Sequence, residues 1–132
     1  MSNYGKTTII KAGRLIDGRG GPAKTAQAVV IAEGRIQSIG DIDAVPQKTP
    51  PDAEIIDLSD ACVIPGLIDS HTHLSLPGDG RTYEAMFSDT DEMMVLTGAM
   101  NMRRHLAAGI TTIREHGARN RIGFTLKEGL AR

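Results

Sequence analysis

In the first half of the chain, apolar and β-branched positions fall into short runs that turn residues separate. These runs predict five short strands, at residues 7–12, 27–32, 35–39, 54–57 and 61–64. The second and third runs flank Glu33 and Gly34, and a two-residue connection of this type is typical of a tight β-hairpin. We therefore expect residues 1–64 to form a small antiparallel sheet or half of a β-sandwich.

From Pro65 onwards the pattern alternates between strands and helices. Short apolar runs predict strands, the first of them buried, and longer stretches with apolar residues three, four and seven apart predict helices. The strands are expected at residues 67–69 and 110–113, and the helices at residues 89–108 and 121–131. The apolar face of the first helix comprises Met93, Leu96, Met100 and Ala107. Such alternation favours a parallel sheet with right-handed crossovers, so residues 65–132 are expected to form an α/β unit.

Composition narrows the class of protein. The chain has 132 residues with a formal net charge of −1, 40% hydrophobic and 23% charged residues, which is typical of a soluble globular protein. The absence of a basic excess argues against nucleic-acid and membrane-surface partners. Cys62 is the single cysteine, which excludes an internal disulfide and fits a reducing, cytoplasmic compartment. We expect Cys62 to be a buried strand residue and not a catalytic thiolate, since no base accompanies it.

His71 and His73 carry the clearest chemical signal. Side chains two residues apart point to the same face of a strand, so both imidazoles can converge on one point. Neutral imidazole is a good ligand for zinc, iron, manganese and nickel. Taken alone, the pair is compatible with a metal site, a solvated pair or a pair in the core.

The segments around this pair resemble the amidohydrolase superfamily. Residues 63–73 (VIPGLIDSHTH) look like the opening signature of that superfamily. Residues 12–18 and 31–40 are similar to its N-terminal sheet. Residues 109–114 (GITTIR) resemble the second barrel strand of its imidazolonepropionase and Xaa-Arg/Lys dipeptidase-like branch.

The resemblance implies an N-terminal β-sandwich-like domain (residues 1–64) followed by the start of a (β/α)8 (TIM) barrel (residues 65–132). It also implies that His71 and His73 bind one or two divalent metal ions, with zinc as the first candidate. In such enzymes a metal-activated water hydrolyses a carbon–nitrogen bond, here of an amide, a cyclic amide or a dipeptide. The parent enzyme is expected to be a homo-oligomer.

The chain departs from the family pattern in its length. A complete barrel takes about 250 residues, and residues 65–132 hold two βα units. The strand-8 aspartate and the bridging strand-4 lysine of the family have no counterpart here, and Lys127 falls in the last helix pattern. This leaves three alternatives: an N-terminal fragment that is inactive alone, one chain of a split enzyme whose partner carries the remaining barrel, and a non-catalytic remnant that acts as an interaction module.

The remaining polar residues have weaker assignments. Asp69 either orients a metal ligand or ties the strand end by a hydrogen bond. His105 is expected to be solvent-facing or to lie near the C-terminal dipole of the first helix. Candidate contacts to a small-molecule or dipeptide substrate lie on the loops after the first and second barrel strands, where ordinary loop polarity is the alternative: Arg81, Tyr83, Arg114, Glu115, His116, Asn120 and Arg121.

Overall fold

The computed structural model describes residues 6–44, 50–82, 84 and 88–132. Two compact units make up the chain, one over residues 1–65 and one over residues 66–132. No helix in the described ranges combines the length and the apolar character that a membrane crossing needs.

The first unit is a four-stranded sheet. Its strands are β1 (Thr8–Leu15), β2 (Lys24–Ala32), β3 (Arg35–Asp41) and β4 (Glu54–Val63), in the spatial order β3-β2-β1-β4. The predicted hairpin is confirmed, since β2 and β3 pair antiparallel around Glu33 and Gly34. Both turn residues have positive φ, 53° and 69°, as a twisted two-residue hairpin turn requires.

Two expectations for this unit are wrong. The sheet is mixed and not purely antiparallel, because β4 runs parallel to β1. In addition, the two strands predicted at residues 54–57 and 61–64 are one strand, β4, which ends at Val63. Residues 59–61 form a bulge in it, since Ala12 lies opposite Leu58 but Arg14 lies opposite Cys62. Gly13 makes room for the bulge, because a Cβ there would stand 2.1 Å from the carbonyl oxygen of Ser59.

The core of the first unit is built on this sheet. Ala12, Leu15 and Val29 form its buried cluster, and Val63 packs against them. Successive residues of a strand face opposite sides, so Cys62 points away from the cluster. Cys62 is accordingly exposed, and the prediction that it is buried is wrong.

The second unit pairs two parallel strands with two helices. It consists of β5 (Leu67–Thr72), α1 (Asp91–Ala107), β6 (Ile110–Glu115) and α2 (Ile122–Leu130). Thr90 caps α1, since its hydroxyl accepts a hydrogen bond from the amide of Met93 at 3.3 Å. Past the end of α1, Gly109 adopts a left-handed φ of 85°, which glycine tolerates without a steric penalty. The predicted α/β unit with parallel strands is therefore present.

The predicted buried face of α1 is wrong. Met93, Leu96 and Met100 are 51%, 65% and 45% exposed, and Ala107 is also exposed. The residues that the helix buries are instead Met94, Gly98 and Asn101. A hydrophobic pattern does not select Gly98 or Asn101, and it gives Met94 the same weight as the exposed methionines. A Cβ on Gly98 would stand 2.5 Å from Cδ1 of Leu126, so the missing side chain allows α2 to approach. Asn101 is buried because its amide donates hydrogen bonds to main-chain carbonyls.

The expectation of a buried first strand in this unit is also wrong. Leu67 and Ile68 of β5 are 50% and 71% exposed. The physical reason is the size of the sheet, because in the described ranges β5 pairs with β6 alone. The buried core of this unit lies elsewhere, in a cluster of Leu74, Met94, Ile122 and Leu126.

Candidate metal centre

The two predicted ligands lie at the carboxyl end of β5. His71 is the penultimate residue of the strand and His73 follows its last residue, Thr72. Both imidazole-bearing residues are exposed, whereas Thr72 between them is buried. This alternation places the two imidazoles on the same side of the strand.

The spacing of the two rings suits a shared metal ion. Imidazoles that bind one zinc ion through nitrogens at about 2.0–2.1 Å, with a near-tetrahedral angle at the ion, have ring centres about 5 Å apart. The ring centroids of His71 and His73 are 5.3 Å apart, and the ring planes are inclined at 69°. The donor set present therefore fits a divalent ion of the kind that neutral imidazole binds.

His116 lies beside this pair but is oriented differently. Its ring stacks on that of His71, with a centroid separation of 4.4 Å and an angle of 21° between planes. Because the two ring planes are nearly parallel, the nitrogen lone pairs of His71 and His116 lie in separate planes and do not point at one ion. Within the residues that the structure describes, no group of three or more His, Cys, Asp or Glu side chains is arranged to hold a metal ion. The described side chains thus bring the imidazoles of His71 and His73 together, with the His116 ring beside them.

Glu115, the last residue of β6, supports the site from the neighbouring strand. Its carboxylate accepts hydrogen bonds from the amide of Leu74 at 2.6 Å and from the amide of Gly117 at 2.7 Å. One carboxylate oxygen also lies 3.9 Å from Nδ1 of His73. Sequence interpretation grouped Glu115 with the loop residues and did not single it out. The available signal was its place, an acidic residue at the end of a strand parallel to the one carrying the histidines.

Asp69 and His105 form a further set of contacts at this end of β5. One carboxylate oxygen of Asp69 accepts a hydrogen bond from the amide of His71 at 3.0 Å, and the other lies 3.5 Å from Nε2 of His105. Of the two positions expected for His105, the solvent-facing one is wrong, since its side chain is only 22% exposed. The other is confirmed, since His105 lies in the last turn of α1, near the C-terminal dipole. Its Nδ1 lies 2.9 Å from the carbonyl oxygen of Asn101, an acceptor, so Nδ1 is the protonated nitrogen. Nε2 consequently faces Asp69 and Thr72, the latter at 3.3 Å.

The candidate substrate residues are distributed over two loops. Arg81 pairs with Asp79 at 2.8 Å and with Asp89 at 3.7 Å, so loop carboxylates hold its guanidinium. Asn120 has a left-handed φ of 51°, and its amide donates a hydrogen bond to Asp91 at 2.9 Å. Tyr83 lies outside the described residues. Among the described residues of the seven candidates for substrate contact, His116 and Glu115 adjoin the histidine pair.

The carboxylate of Asp91 fixes the loop between β6 and α2, which carries His116. The Asn120 amide, followed by the Arg119 guanidinium, holds the pKa of Asp91 below its ordinary value. Arg119 contacts Asp91 at 2.7 Å. Because Asp91 is the first residue of α1, these contacts attach the loop between β6 and α2 to the start of that helix.

Comparisons with known proteins agree with this architecture. The model of the amidohydrolase family matches residues 62–129. An N-substituted formamide deformylase from Arthrobacter pascens is 43% identical over 77 residues, which are 58% of this chain and 14% of the deformylase. The imidazolonepropionase of Symbiobacterium thermophilum is 36% identical over 83 residues, which are 54% of this chain and 20% of that enzyme. A solved molinate hydrolase superposes with a TM-score of 0.83 at 26% identity, over 97% of this chain and 27% of the hydrolase.

Parallel strands with paired imidazoles at one carboxyl end define an α/β protein with a candidate metal centre. The match over residues 62–129 is more specific: the chain belongs to the amidohydrolase family. The resemblance expected from its sequence is thereby confirmed. The chain spans 14% and 20% of the length of the two curated relatives.

Proposed function

We propose that this chain supplies His71 and His73 as metal ligands to a hydrolase that cleaves carbon–nitrogen bonds. The observation that carries the proposal is the 5.3 Å separation of two imidazoles on the same side of a strand end. Family membership supports the reaction class. The similarity to an N-substituted formamide deformylase supports a substrate that contains an amide bond, with cyclic amides and dipeptides as the other candidates.

The residues of this chain have separate tasks in the proposed site. His71 and His73 bind the ion through one ring nitrogen each, and Asp69 holds the main chain of His71 by accepting its amide hydrogen. A divalent ion held there, with zinc as the first candidate, would activate water and polarise the scissile carbonyl group. His116 stacks on His71 and is a candidate contact for the substrate.

Two imidazoles do not complete a zinc site, since a catalytic zinc ion takes three protein ligands and a water molecule. We therefore propose that residues 66–132 act as the first two βα units of a (β/α)8 barrel, in which other strands supply the remaining ligands and the general base. The fold similarity to molinate hydrolase, which extends over 97% of this chain, supports this assignment.

The experiment uses the full encoded protein, assayed on a panel of N-formyl amines, lactams and dipeptides. Removal of metal by a chelator is expected to abolish hydrolysis, and added zinc is expected to restore it. His71→Ala and His73→Ala should lower kcat by several orders of magnitude. Thr72→Val is the matched control, because Thr72 lies between them on the opposite face. Hydrolysis that survives both histidine substitutions would refute the proposal.

A further inference from the structure

The carboxylate of Glu115 joins the two chain segments that leave the strand ends. It bonds the amides of Leu74, which follows β5, and of Gly117, which follows β6. The Glu115 side chain is only 17% exposed, and its hydrogen bond to the Leu74 amide is partly shielded from water. Hydrogen bonds to a charged carboxylate are stronger than hydrogen bonds between neutral groups. These two bonds therefore fix the main chain just after β5 and just after β6.

The residue that follows His73 is immobilised from three directions. Besides the Glu115 contact to its amide, the carbonyl oxygen of Leu74 accepts a hydrogen bond from the Asn101 amide at 2.8 Å. The Leu74 side chain is 3% exposed within the core cluster of this unit. Since Leu74 is fixed, the main chain at His73 has little freedom, and only the side-chain torsions of His73 remain to be set.

Gly117 restricts those torsions. A Cβ added to Gly117 would stand 2.4 Å from Nδ1 and 2.7 Å from Cε1 of His73. Gly117 does not have one of the left-handed φ values found at other glycines of the chain. The position therefore requires glycine for space against the imidazole, and not for an unusual backbone conformation.

We propose that Glu115 and Gly117 are positioning residues for His73, which hold the Nδ1 edge of its ring against the end of β6. Nδ1 and Nε2 occupy opposite edges of an imidazole, so this contact leaves Nε2 free to face a metal ion. The inference rests on the proposed function, because it assigns a purpose to the orientation of a ligand. A carboxylate behind the distal nitrogen of a metal-binding histidine is an arrangement that orients the ring.

The first test compares Gly117→Ala with Gly129→Ala in the full encoded protein. An alanine side chain at Gly129 would meet nothing within 4 Å, so Gly129→Ala is a control for the same chemical change. Zinc affinity is measured by competition with a chromogenic chelator, and the His73 ring by its ¹⁵N–¹H correlations without metal. Gly117→Ala should weaken zinc binding about 10–100-fold and shift the ring signals of His73. The control should change neither.

The second test compares Glu115→Gln with Glu128→Gln, an exposed carboxylate on α2. A glutamine at position 115 can accept from one of the two amides with its oxygen, but its NH2 group faces the other as a second donor. We expect zinc affinity to fall about tenfold or more and the amide of Leu74 to exchange faster with solvent. Glu128→Gln should leave both unchanged.

The outcomes separate the two proposals. If His71→Ala and His73→Ala keep wild-type zinc affinity, the proposed function fails. If they lose zinc while Gly117→Ala retains wild-type affinity with unshifted His73 signals, Gly117 does not position the ring. Wild-type affinity in Glu115→Gln overturns the role of Glu115 in the same way. Gly117→Ala retains the Glu115 carboxylate and its hydrogen bond to the Leu74 amide, so its result stands even where Glu115 variants fold poorly.

Discussion

At the scale of single residues, the candidate centre depends on carboxylates that hold the main chain. Asp69 accepts the amide hydrogen of His71, and Glu115 accepts that of Leu74. Each histidine therefore has an anchored peptide unit beside it. Fixed peptide units reduce the conformational entropy that ligand residues lose when they bind an ion.

Asp69 provides a prediction that separates hydrogen bonding from charge. Asp69→Asn keeps an oxygen that can accept the His71 amide but loses the charge that faces His105, whereas Asp69→Ala loses both. We expect zinc affinity to decrease in the order wild type, Asp69→Asn, Asp69→Ala, with a loss of about tenfold or more for alanine. Chelator competition on the full encoded protein measures this order. Equal zinc affinities for wild type and Asp69→Ala would show that the Asp69 hydrogen bond only stabilises the end of the strand.

The histidine pair could be predicted from the sequence because its signal is local. An i, i+2 spacing at the end of a strand fixes the side on which both rings lie. The contact between Glu115 and Leu74 joins residues 41 positions apart, and a single sequence does not show which amide a distant carboxylate reaches. The contacts of His105 were not predicted for the same reason, since its partners Asp69 and Thr72 belong to another element.

At the scale of elements, α1 shows how packing can override hydrophobic periodicity. The methionine-rich stripe predicted the wrong face, because α2 approaches α1 most closely where Gly98 has no side chain. The buried Asn101 is compatible with this face only because its amide has two carbonyl partners, those of Leu74 and Leu76. Strand and helix positions were predicted to within a few residues since they depend on local propensity and capping.

The contact at Gly98 provides a stability prediction. Gly98→Ala forces Cδ1 of the buried Leu126 to move, whereas Gly129→Ala meets open space on α2. Both substitutions replace a helical glycine, so the gain in helix propensity cancels in the comparison. We expect Gly98→Ala to be less stable than Gly129→Ala by about 1–3 kcal/mol. Urea unfolding of the two variants measures the difference, and equal midpoints would contradict the packing described for α1.

The attachment of the His116 loop to α1 provides a pH prediction. In the folded protein the pKa of Asp91 is lowered, first by the Asn120 amide and then by Arg119. The charged carboxylate therefore stabilises the fold above the unfolded pKa of about 4, and this contribution is lost as the pH falls through the folded pKa. The stability advantage of wild type over Asp91→Asn should shrink below about pH 4. A difference between urea midpoints that stays constant into strong acid would contradict this.

At the scale of the whole molecule, large apolar side chains remain uncovered in the described residues. Ile68 is 71% exposed, Phe124 68% and Leu130 70%. Exposed apolar surface of this extent is typical of interfaces or of proteins prone to aggregate. The proposed site leads to the same expectation, because this chain supplies two imidazoles to it: we expect the 132-residue chain to need additional protein surface to reach a stable, active state.

A folding experiment on the 132-residue chain tests this expectation. Expressed by itself, the chain should bind the dye ANS strongly and unfold over a broad temperature range, as loosely packed states do. The full encoded protein, if longer, is the control and should show weak dye binding. A sharp cooperative melt of a monomer with dispersed amide NMR signals would contradict the expectation.

The metal content of four purified proteins tests the central claim most directly. Inductively coupled plasma mass spectrometry would give the zinc-to-protein ratio of the full encoded wild type, His71→Ala, His73→Ala and Thr72→Val. Because His71 and His73 lie on the same side of the strand end and Thr72 lies on the other, the two histidine variants should lose most of their metal while Thr72→Val keeps it. Wild-type metal content in both histidine variants would show that these imidazoles are not ligands.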